Sequence, residues 1–162
     1  MFNDVWFQDT DGSIMLDDPN KHTLDVNYPI REIRISSSAV IEGIEVTYSL
    51  ANAVGAATIS HGSRFSEADK VCISAHETLV GVFGRAGFQT EYERKLITNI
   101  GFMLFDSQLA AVRVAGPFGS LDPLCEGEAF YVSDVIAFGG FAQNDKHLGL
   151  SGLFFIKQRA RD

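Results

Sequence analysis

In the stretch IEGIEVTYSL, the apolar residues Ile44, Val46, Tyr48 and Leu50 alternate with Glu45, Thr47 and Ser49. A period of two sends the first set to one face of a β-strand and the second to the other, the pattern of a sheet with one buried and one solvated side. The same period recurs downstream. KVCIS groups Val71 with Ile73, and NIGFMLF groups Ile100, Phe102 and Leu104. TLVGVFG, FYVSDVIAF and LSGLFFI are β-branched and aromatic runs of strand length.

Turn-forming residues separate these runs: Asn52 and Gly55, SHGS at 60–63, RAG at 85–87, FDSQ at 105–108, GPFGSLDP from Gly116 to Pro123, and GGFAQND from Gly139. Turns at about ten-residue intervals are the spacing of an all-β sandwich, barrel or prism. The one segment with a helical charge pattern, EYERKLI, is too short for a helix that stands alone, so it reads as one or two helical turns or as a charged approach to the next strand. Residues 1–28 are more acidic and less regular, an N-terminal extension whose end joins the sheet. Residues 29–158 read as one β domain and 159–162 as a tail.

A length of 162 residues with 46% hydrophobic side chains is enough for one domain with a real core. The formal net charge of −8, with no Lys/Arg-rich strip, argues against a nucleic-acid partner. No segment approaches the roughly 18 uninterrupted apolar residues of a spanning helix, and MFNDVWFQDTDGS lacks the basic start and apolar run of a leader, so the expectation is a cytoplasmic protein without a membrane span. Cys72 and Cys125 read as reduced structural thiols, with a preference for burial.

Seven segments taken in order resemble the jacalin-related lectins: IREIRIS from Ile30, IEGIEVTYSL from Ile41, HG at His61, LVGVFGRAG from Leu79, ITNIGFMLF from Ile97, GPFG from Gly116, and VIAFGGFA before a closing apolar strand. The resemblance spans roughly residues 28 to 157. It implies an all-β fold, a β-prism of three four-stranded antiparallel Greek-key sheets around a shared core. It further implies carbohydrate binding by loops at one end of the prism, with neither metal nor cofactor. The chain departs from the pattern in two places. The late loop is longer than usual and Gly149 stands where the family places an Asp. The N-terminal Gly-Gly loop is missing, its region reading WFQDTDGS.

A sugar site needs carboxylate or carboxamide acceptors for vicinal hydroxyls, glycine where the backbone must be approached closely, and an aromatic face for the C–H patch of the ring. The late loop offers Gly139, Gly140, Phe141, Asn144, Asp145 and His147, and GRAGFQTEY adds Arg85, Gly87 and either Phe88 or Tyr92. A hairpin tip, where Gly, Asn and Asp serve turn geometry alone, accounts for the same late-loop residues. A shallow site of this kind gains from avidity, so a homo-oligomer is expected.

Other chemistry finds less support. The four histidines have no metal-ligand spacing, DTDGS lacks the glycine position and terminal Glu of a calcium loop, and no Gly-x-Ser-x-Gly or phosphate-cradling loop occurs. Asp145 beside His147 is the one pair resembling a tuned base, and a surface ion pair explains it equally well. Thirteen Phe against four Tyr and one Trp raise an alternative: a β-prism that is an enzyme or binder for a hydrophobic small molecule. A protein-interaction module with a decayed sugar site is a further alternative.

Overall fold

The computed structural model describes residues 7–8, 14–15, 23–51, 55–63, 65–122, 127–142 and 149–157. Its strands are β1 (Phe7–Gln8), β2 (Ile14–Met15), β3 (Ile30–Ser37), β4 (Ile41–Ser49), β5 (Ala56–Gly62), β6 (Asp69–Cys72), β7 (Glu77–Gln89), β8 (Arg94–Asp106), β9 (Ala111–Gly119), β10 (Glu128–Ser133), β11 (Val135–Ala142) and β12 (Leu150–Lys157). The segment EYERKLI holds only a 3-10 turn at Thr90–Tyr92, closed by Glu93 in the left-handed region at φ 53°, and then enters β8. It is the charged approach to a strand, because one turn of helix has no apolar face to bury.

Two four-stranded antiparallel sheets have the orders β5-β4-β3-β6 and β10-β7-β8-β9. In each, the first two strands make the central hairpin, the third extends the second, and the fourth returns beside the first, which is a Greek key. The third face has the hairpin β11-β12, and β1 pairs with β2 in a further two-stranded ladder. The described strands thus number twelve.

Period-two patterning sets the core. Ile44, Val46 and Tyr48 from β4, Ile33 and Ile35 from β3, and Ile100, Phe102 and Leu104 from β8 are all fully buried. A chain of aromatic rings then crosses from sheet to sheet, with centroids 5.6 to 6.4 Å apart: Phe118, Phe102, Phe138, Phe155 and Phe130. Much of the phenylalanine excess therefore lies in the core. Tyr48 bridges the first sheet to the third face, its buried hydroxyl accepting the Phe138 N–H at 3.0 Å. Burial pushes that phenol well above its ordinary pKa.

Three glycines sit opposite aromatic partners in the ladders: Gly84 with Phe130, Gly101 with Phe83, and Gly139 with Phe154. A Cβ at any of them would fall within 3 Å of the partner ring. The rings lie on the bare backbone, so these glycines serve packing.

The outer faces of the two large sheets differ. On β5-β4-β3-β6 the face is polar and cross-linked: Arg34 pairs with Glu45 at 2.9 Å, Lys70 with Glu32 at 2.7 Å, Ser60 donates to Glu45 at 2.8 Å, and Thr47 and Thr58 share a hydrogen bond. Cys72, a free thiol, is exposed on β6 and not buried, because its neighbour Val71 takes the inward position. On β10-β7-β8-β9 the equivalent positions hold Tyr131, Phe83, Met103, Phe105, Val114 and Val112.

Candidate functional site

One end of the prism gathers the β3–β4 turn at Ser38–Val40, the end of β5 at His61–Gly62, the β7–β8 turn at Thr90–Glu93, the end of β9, and the two anchors of the late loop, Ala142 and Gly149. Close contacts tie them together. The Cα of Gly149 faces Leu96 and Val40, that of Gly62 faces Leu150, and Gly140 lies against the His61 side chain. Among the described residues, four of the five buried polar side chains, Ser36, Glu42, His61 and Thr98, lie toward this end. Ser38 Oγ donates to the Glu42 carboxylate at 2.8 Å, and Thr98 Oγ1 to the Arg85 carbonyl at 3.2 Å. Such internal bonds brace the roots of the loops, since a buried polar group is costly unless paired.

Gly149 occupies the position where the resemblance puts a carboxylate. Its φ is +87°, and a Cβ there would come within 3.0 Å of Leu96. A side chain would be strained by the backbone and crowded by its neighbours, so glycine suits this position.

From this end a groove of about 630 Å³ runs down between the β7–β8 hairpin, β10 and β12. Its walls are Phe88, Leu96, Phe130, Val132, Leu153 and Phe155, and Lys95, Glu128 and Ser151 add polar groups. The volume lies within the range of small-molecule sites, about 300–1,000 Å³. Phe88 stands 51% exposed at the mouth. Gly87 and Gly152 leave the groove wall without a side chain, where a guest could approach closely, whereas the side-chain position of Gly127 is filled by the Ala86–Gly87 backbone of β7.

The structure therefore brings Phe88 and Gly87 to the groove. Arg85 starts from the outer face of its sheet, and its guanidinium donates to the Gly127 carbonyl at 3.2 Å. Gly139 is buried under the Phe154 ring, and Gly140 packs on His61. Asn144, Asp145 and His147 lie outside the described residues, as does the side chain of Phe141. Lys95, Glu128 and Ser151 escaped the reading of the sequence because the groove joins strands far apart in the chain, and no local motif marks that junction.

The opposite end holds a smaller hollow of about 290 Å³, walled by Tyr28, Ile30, Ile73, Glu77, Asp134 and Ile136 among others. Glu77 is already engaged there. Arg113 grips it with Nε at 2.5 Å and Nη2 at 3.0 Å, and the Ser74 N–H adds a third bond at 3.0 Å. Together they hold its carboxyl down to about 2.

No family profile and no curated protein sequence matches the chain. Solved structures do. An artocarpin–mannotriose complex superposes with a TM-score of 0.62 at 21% identity, over 78% of this chain and 81% of that one. Frutapin, a lectin from Artocarpus incisa, gives 0.61 at 22%, over 94% and 87%. A complex of jacalin with mellibiose gives 0.60 at 18%, over 81% and 92%. The fold is that of the jacalin-like β-prism lectins. The two Greek-key sheets and the central hairpin of a third agree with it, and at this level of identity the likeness is one of fold. No described helix is long and apolar enough to cross a membrane.

Proposed function

We propose that this β-prism binds a carbohydrate, without a metal, at the end where the β7–β8 hairpin meets the late loop. The observation that carries the reading is the exposed Phe88 ring at the mouth of a groove that Gly87 and Gly152 also line, with Lys95 and Glu128 among its polar groups. An aromatic face takes the C–H patch of a pyranose, and the charged groups take its hydroxyls. Asn144, Asp145 and His147 belong to the segment between Ala142 and Gly149, and the place of these two anchors at this same end supports assigning the three to the guest's polar contacts. Arg85 acts one step back, fixing Gly127. Two proteins of this fold, artocarpin and jacalin, are known as complexes with mannotriose and mellibiose, which supports a glycan as the guest.

The test is a glycan array with the wild-type chain, Phe88→Ala and Asp145→Ala. Wild type should retain a defined set of glycans. Phe88→Ala should weaken binding about tenfold, the equivalent of about 1.4 kcal/mol, at an unchanged melting temperature because the ring is half in solvent. Asp145→Ala should abolish it. A wild-type protein that retains no glycan would refute the reading.

A second reading rests on the apolar walls of the groove, three of them phenylalanine. They suit a hydrophobic small molecule, and a fluorescent apolar probe displaced from wild type, but not bound by Leu153→Arg, would favour it over the glycan.

A further inference from the structure

The two Greek-key sheets of this prism are topological equivalents with opposite outer surfaces. The β5-β4-β3-β6 face is laced with ion pairs and hydroxyls, as a solvated sheet should be. The β10-β7-β8-β9 face carries Tyr131 at 61% exposure, Val114 at 55%, Val112 at 54% and Phe105 at 38%, with Phe83 and Met103 half-buried between them. Its one charged side chain among these rows is Arg85, at the end of the face nearer the groove. A sheet built for water would not show this pattern, because the register puts each of these apolar side chains on the outward side by period two.

We propose that this face is the interface of a two-fold symmetric homodimer, in which the β10-β7-β8-β9 sheets of two copies pack face to face. The partner is a second copy for two reasons. The first is charge. Two chains of −8 repel over most of their surfaces, and this face lets them meet over apolar area. The second is self-complementarity. An in-plane two-fold axis across the strands at the Tyr131–Phe83–Gly101 row reverses strand direction in the second copy. Arg85 lies two positions to one side of that row on β7 and Gly81 two positions to the other. Gly81 pairs with Ser133, whose Oγ holds the exposed Asp134 carboxylate at 2.8 Å. The axis thus lays each Arg85 over the Asp134 end of the other copy, giving two ion pairs around an aromatic centre.

The dimensions suffice. Four strands spaced about 4.8 Å apart and about eight residues long span roughly 19 by 25 Å, a footprint whose side-chain relief brings it toward the ~800 Å² per partner of a standard interface. Two sheets packed this way sit about 10 Å apart with interdigitated side chains, as in a sandwich.

The experiment is sedimentation velocity of the full chain across a concentration series, with far-UV circular dichroism to verify folding. Wild type should sediment as a dimer at micromolar concentration. Val114→Lys, at an exposed edge-strand position, should raise the dimer dissociation constant at least about tenfold while keeping the wild-type spectrum and melting temperature. Arg85→Asp should weaken the dimer, and Asp134→Arg added to it should restore association. Thr47→Lys, on the polar face, should change nothing. A wild-type monomer throughout the series, or a dimer indifferent to both Val114→Lys and Arg85→Asp, overturns the proposal. Neither outcome bears on the glycan reading, which the array tests on its own.

Discussion

Gly139→Ala separates two roles for the glycine that opens the late loop. The backbone at 139 lies outside the left-handed region, so alanine has an allowed conformation there, and the effect of the change depends on space alone. An ideal Cβ falls 1.9 Å from Phe154 Cζ, where ordinary contact begins at 3.4 Å, so the ring must withdraw by about 1.5 Å. Over-packing of this kind costs about 1–3 kcal/mol. The reduced freedom of the unfolded chain returns about 0.4–1 kcal/mol. The net expectation is a destabilisation of about 1–2 kcal/mol, or a melting temperature lower by roughly 3–6 °C for a chain of this size. Urea denaturation followed by far-UV circular dichroism measures it. Phe154→Leu in the same background should relieve the clash, giving a coupling energy of about 1 kcal/mol in the double-mutant cycle. If Gly139→Ala leaves the urea midpoint unchanged or raises it, the ring does not lie on the glycine, and an open backbone for a ligand becomes the better reason for its presence.

Tyr48→Phe should cost about 1–3 kcal/mol, because it leaves the buried Phe138 N–H without its acceptor; an unchanged urea midpoint would deny the bridge between the first sheet and the third face. Glu77 predicts a pH dependence. Its folded pKa of about 2 lies below the ordinary 4.5, so its stabilising effect is complete above pH 4.5 and is lost as pH falls toward 2. The stability gap between wild type and Glu77→Gln should therefore close across that window, and a gap constant from pH 5 to 2 would show that Arg113 does not select the charged form.

The fold was legible because alternation survives wherever one side of a strand is buried. Ile44, Val46 and Tyr48 are all inward, as are Ile100, Phe102 and Leu104. The Greek-key order came from resemblance, since period two says which face is buried and nothing about which strand lies beside which. The groove was illegible for the same reason: Phe88, Phe130 and Leu153 meet only after β7, β10 and β12 are brought together. Glycine misleads most easily in a sequence. GG at 139–140 reads as an opened loop, whereas the space at Gly139 is filled by a ring from the facing strand. Cys72 was expected to be buried by composition, and register placed it on the solvated face instead.

The guest and its place are tested together by titrating an array-positive oligosaccharide into ¹⁵N-labelled protein and following the backbone amides. Shifts should cluster at Gly87, Phe88, Lys95, Gly127, Glu128 and Gly149–Gly152, with those around Tyr28, Glu77 and Asp134 unmoved. Shifts confined to the Tyr28–Asp134 hollow, or none at saturating sugar, would contradict it.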